Sequence, residues 1–229
     1  MTGLRNCIGR IATALLLSLS LAPAQATLLD IDPDAPLLRF GSLLNQGADY
    51  DAASGRISIS GDPQAVQFVL PGPFTGITGT RSLSMDFFVD SSGIVTGGIA
   101  GNDFELFGEI DSDGDSIPDH TGLLLAGEIR EFGFQDLTAT VDVMDFLFEV
   151  SGGSLAGQFA GFGIGVAMTL ENSSFTGSFA QDFTSTRVKG RIGTAPIPPS
   201  QIPEPGTTWL LGVAALAGLL PALRRRCRT

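Results

Sequence analysis

Four aspartates crowd into nine residues of the stretch DSDGDSIPDH, at positions 111 to 120: Asp111, Asp113, Asp115 and Asp119. Carboxylate oxygens this dense suit one chemistry above others, the ligation of a hard cation. Ca2+ takes about 6–8 oxygen ligands at about 2.3–2.6 Å, and alternate spacing lets a curled loop turn several side chains inward. Gly114 eases the turn. The competing reading is a solvated acidic hairpin tip, in which the like charges simply face water. Calcium is the better match, because unneutralised carboxylates this close repel one another. His120 is the only histidine of the chain, and beside an acidic loop it reads as a surface residue.

The spacing D-x-D-x-D-x-x-x-D resembles the calcium loops of thrombospondin type 3 repeats. It also resembles an EF-hand loop in part, and that likeness implies the backbone carbonyl of Ile117 as a further ligand. The EF-hand pattern is not complete. Glycine stands at the fourth place rather than the sixth, and the twelfth place is Gly122 instead of glutamate. The last ligand is then left to Glu109, Glu128 or water.

Something must hold that loop. On either side, residues 103–110 and 123–130 have the look of two paired strands. Short segments rich in aromatic and β-branched residues recur along the chain at 56–60, 65–70, 82–89, 94–100, 103–110, 123–134, 137–150, 162–170 and 175–184. Gly, Pro, Ser, Asn and Asp separate them, which is the punctuation of strands and turns. With 30 glycines and 13 prolines in the chain and no long amphipathic helix outside its ends, the sequence predicts an all-β, antiparallel β-sandwich or barrel-like ectodomain over residues 27–193. All 16 phenylalanines fall within it and are expected to supply its core.

Charge narrows the partners. Residues 27–205 carry 24 acidic against seven basic side chains. Such a surface repels phosphate backbones, which argues against nucleic acid. Catalysis has little to work with: the domain has no cysteine and one histidine, and no G-x-S-x-G elbow occurs. A hydrolase is therefore the third reading of function. A carbohydrate-binding module is the second, weakened because the only tyrosine is Tyr50 and the only tryptophan, Trp209, lies in an apolar segment near the C-terminus.

The two ends point to export. Residues 1–26 read as a signal peptide: Arg5 and Arg10, an apolar run at 11–21, then Ala24 and Ala26 before cleavage. A retained signal anchor is the other possibility. At the far end, residues 194–206 hold five prolines and predict a stiff, extended linker. Residues 207–223 are uncharged. At about 1.5 Å rise per residue they cover about 26 Å as a helix, near the lower limit for one membrane crossing. Arg224, Arg225, Arg226 and Arg228 follow at once and are expected to hold the tail on the cytoplasmic side.

Pro203-Glu204-Pro205, then a single apolar span, then an arginine cluster resembles the PEP-CTERM sorting signal of exported proteins in exopolysaccharide-producing Gram-negative bacteria. The likeness covers residues 203–229. It implies an exosortase-type transpeptidase as partner, which removes the tail during sorting to the cell surface or matrix. It also implies a transient membrane anchor through 207–229 and contact with exopolysaccharide. The leading expectation is a non-catalytic surface or extracellular-matrix protein, structural or adhesive, stiffened by calcium.

Overall fold

The computed structural model describes residues 27–198. The signal peptide, Pro203, Glu204, Pro205, the apolar span and Arg224, Arg225 and Arg226 lie outside those residues. Among the described residues no helix is long and apolar enough to cross a membrane.

The described chain is all-β. Its strands are β1 (Asp34–Gly41), β2 (Ala48–Asp51), β3 (Arg56–Gln67), β4 (Thr75–Gly76), β5 (Thr78–Val89), β6 (Val95–Gly98), β7 (Phe104–Ile110), β8 (His120–Thr138), β9 (Val141–Gly152), β10 (Gly163–Ser173) and β11 (Phe183–Ala195). One 3-10 turn, Ala156–Phe159, interrupts the series. Every pairing is antiparallel.

The ladder closes on itself. From β3 it runs through β5, β7, β8, β9, β10 and β11, then returns to β3 through β1 and β2. The result is an eight-position barrel, the size whose interior side chains can just fill. Two positions are occupied by broken strands. β1 and β2 pair successively along β3 and β11, with residues 42–47 looping out between them. β6 and β7 likewise follow one another along β5, with residues 99–103 between.

Alternation explains the core. On β9, residues 142, 144, 146 and 148 face inward; on β5, residues 83, 85, 87 and 89 do. Eleven of the phenylalanines are buried, including Phe87, Phe104, Phe146 and Phe148 at 0% exposure. Each buried ring contributes on the order of 1.5–3 kcal/mol. Phe132 stacks on Phe146 with centroids 5.2 Å apart.

One strand expectation is overturned. Residues 175–182 form no strand; β11 begins at Phe183. Gly177, inside this segment, sits at φ +76°, outside the extended region a strand needs. Instead the segment folds across one end of the barrel. There Phe179 meets Phe134 at 4.8 Å, and the Tyr50 hydroxyl donates to the Phe179 carbonyl at 2.8 Å. Leu155 and Phe159 join the core at the other end. β11 also runs through Ala195, taking in the first two residues of the stretch expected to be linker.

Candidate metal centre

The acidic stretch does join two paired strands. β7 and β8 form the expected hairpin, and the ladder ends at Ile110 opposite His120. The nine residues between them curl tightly: the Asp119 N–H donates to the Ile110 carbonyl at 2.8 Å. Gly114 and Ser116 both sit at positive φ, +82° and +71°. Glycine takes that conformation without cost, but serine pays for it in strain.

The turn is held by its own carboxylates. Asp111 accepts from the Gly114 N–H through Oδ1 at 2.7 Å and from the Ser116 N–H through Oδ2 at 2.8 Å. Asp113 accepts from the Asp115 N–H at 3.1 Å, and Asp115 from the Ile117 N–H at 2.7 Å. These bonds gather three residues. One oxygen from each of Asp111, Asp113 and Asp115 lies within 4.8 Å of the others, a spacing one cation could bridge.

Asp119 is not in that group. Its Oδ2 accepts from both the Ser112 N–H, at 2.8 Å, and the Ser112 hydroxyl. The Ser112 hydroxyl first, then the Ser112 N–H, hold its carboxyl below the usual range, with a smaller pull from His120. Ile117 has an exposed side chain. The two glutamates that could have completed the set are elsewhere. The Glu109 carboxylate lies over Gly79, so close that a Cβ there would stand 2.5 Å from Cδ. Glu128 faces Asp103; burial and that neighbour raise its carboxyl. His120 stacks on Phe68, centroids 6.2 Å apart.

No family model matches the chain, and neither a curated protein nor a solved structure matches it.

Other acidic groups lie in the barrel wall, unheralded by any motif. Asp103, 2% exposed, fills the break between β6 and β7 and accepts from the Ile99 N–H at 2.6 Å and the Ile129 N–H at 2.9 Å. Asp145 accepts from the Leu29 and Ile31 N–H groups at 3.0 and 3.3 Å, pinning the entering chain to the outer wall. Gly133 lets that chain pass, since a Cβ there would meet the Thr27 carbonyl at 2.5 Å. The break between β1 and β2 opens instead into an outward groove of about 740 Å3, lined by Asn45, Asp49, Ser84, Thr184 and Arg187 among others.

Proposed function

We propose that this is a non-catalytic exported protein of the cell surface or extracellular matrix, processed at its tail by an exosortase-type enzyme. The observation that carries the reading is the ordered tail: Pro203-Glu204-Pro205, the uncharged run 207–223, and Arg224, Arg225 and Arg226 behind it. Its role is structural or adhesive, in contact with exopolysaccharide. A closed β-barrel supports that role, because closure leaves few free edges for aggregation at high local concentration.

Calcium at the hairpin tip belongs to the same reading. Asp111, Asp113 and Asp115 supply side-chain oxygens, and the Ile117 carbonyl is the main-chain candidate. Asp119 joins only if it releases Ser112, so water completes the shell. An open site of this kind fits weak affinity, with Kd on the order of 10⁻⁴–10⁻³ M, as in extracellular modules.

Mass spectrometry of surface material from the native host tests the sorting claim. The expected mature chain lacks the residues beyond Pro205; a chain intact through Thr229 refutes it. Replacing Arg224, Arg225 and Arg226 by glutamate is expected to disturb membrane orientation.

A carbohydrate-binding role is the second reading, favoured by the groove at the β1–β2 break. Its hydroxyl, amide and guanidinium lining and the exposed Leu43 and Leu44 suit a polyhydroxylated ligand. A glycan array probed with the tail-processed protein separates it from a purely structural role.

A further inference from the structure

Asp142 is the one residue, among those described, whose buried side-chain oxygens have no hydrogen-bond partner at all. It is 1% exposed. Its place follows from β9 alternation: it is the first inward position of a row that continues with Met144, Phe146 and Phe148. The carboxylate therefore caps an apolar row at the barrel end that Phe175 and Phe179 close.

Its neighbours supply no positive charge. Across the ladder stand Asp136 on β8 and Leu170 on β10. None of the ion pairs among the described residues includes Asp136 or Asp142. Ser173 is also buried, and its hydroxyl accepts from the Phe175 N–H at 3.1 Å. A hydroxyl oxygen has two lone pairs, so one is left over. Burial pushes the Asp142 carboxyl up; the Ser173 hydroxyl draws it down, and Asp136 raises it again. Gly177, at φ +76°, brings the capping segment against Asp136: a Cβ there would lie 3.5 Å from Asp136 Oδ2.

A buried, unpaired carboxylate costs several kcal/mol unless something neutralises it. Here the deep carboxylate has a second one beside it, and that second residue is exposed to solvent. A cation can enter past Asp136 and be held by Asp142. We propose that Asp142 and Asp136, with the Ser173 hydroxyl, bind a hard divalent cation of the calcium class at the barrel end opposite the hairpin tip. Water supplies the remaining ligands. The site is separate from the tip and does not depend on the tail.

The test uses the full chain in detergent micelles, with Asp113→Ala and Asp115→Ala to silence the tip. Melting is followed with chelator and with 5 mM (roughly extracellular-level) calcium. Calcium is expected to raise the midpoint by about 3 °C or more. Asp142→Asn, nearly isosteric, is expected to abolish the rise. Asp136→Asn is expected to weaken calcium binding at least about tenfold, by loss of one charged ligand, and carries the test if Asp142→Asn does not fold. A rise that survives both substitutions overturns the site. So does a tip-silenced chain indifferent to calcium; if that chain is instead stabilised on acidification, the two carboxyls share a proton rather than a cation. If the tip-silenced chain responds as fully as the wild type, the tip claim fails and this one stands.

Discussion

The hairpin tip and the barrel wall use the same bond for opposite ends. At the tip, Asp111 and Asp119 accept backbone N–H groups in full view of water. In the wall, Asp103 and Asp145 accept backbone N–H groups under cover. The geometry is alike, but the alternatives differ. A tip N–H that loses its carboxylate turns to solvent, whereas a wall N–H that loses it has nothing. The tip bonds shape a loop; in the wall, Asp103 fills a gap that an interrupted ladder leaves and Asp145 clamps the entering chain.

The sharpest way to break this contrast is Asp103→Ala. It orphans the Ile99 and Ile129 amides and is expected to cost about 3 kcal/mol, read from urea denaturation. Asp145→Ala comes next, at about 1–2 kcal/mol. Hydrogen exchange at Leu29 and Ile31 is expected to quicken, because the entering chain loses its clamp.

Acidity separates the two regions by sign. Burial holds the Asp145 carboxyl above its ordinary value against the pull of the Leu29 and Ile31 amides. Its ionisation therefore disfavours the fold, so its contribution is complete below the unfolded value, about 3.9. That contribution is lost as pH rises through the folded value. Asp119 is shifted down, so its contribution is present above about 3.9 and is lost as pH falls through the folded value. Melting between pH 3 and 7 (about the range where carboxylates titrate) is the measurement. Asp145→Asn is expected to flatten the decline toward neutrality, and Asp119→Asn to flatten only the acid limb.

The smallest effects are expected at the tip. Asp113→Ala with Asp115→Ala is expected to remove only the tip's share of the calcium-dependent rise, leaving the share held by Asp142, while changing the chelated midpoint by about 1 °C. Ser112→Ala, which removes one of the two donors holding Asp119 and leaves the backbone N–H, is expected to tighten calcium binding a few-fold if Asp119 then turns inward. An unchanged affinity would show that Asp119 has no part in the site.

These differences trace what the residues disclose. The hairpin was legible because alternation precedes the acidic run, as in DFELFGEI, and the apolar run LLLA follows it. Asp111, Asp113 and Asp115 do converge; Asp119 does not, because Ser112 offers it two donors, a local competition invisible to spacing. β1 and β2 escaped notice for a related reason. The run GSLLNQG between them breaks alternation and exposes Leu44 at 91%, so one barrel position reads as two fragments. Residues 175–184 misled in the other direction: a phenylalanine at every fourth place suits one face of a strand, but Gly177 takes φ +76° and the segment caps the barrel instead. Asp142 left a trace after all: an acidic side chain at the head of an inward row that continues Met144, Phe146, Phe148 is an anomaly that period two alone exposes.

The last strand has a mechanical consequence. β11 is laddered to β10 over almost its whole length, from Ser185 to Ala195, and on its other side to β1 and β2. A pull on the chain beyond Ala195, directed along the strand, loads both rows of hydrogen bonds at once. Such shear must break them together, where peeling would unzip them singly. A domain tugged from its C-terminal end is thus gripped along both edges of its last strand.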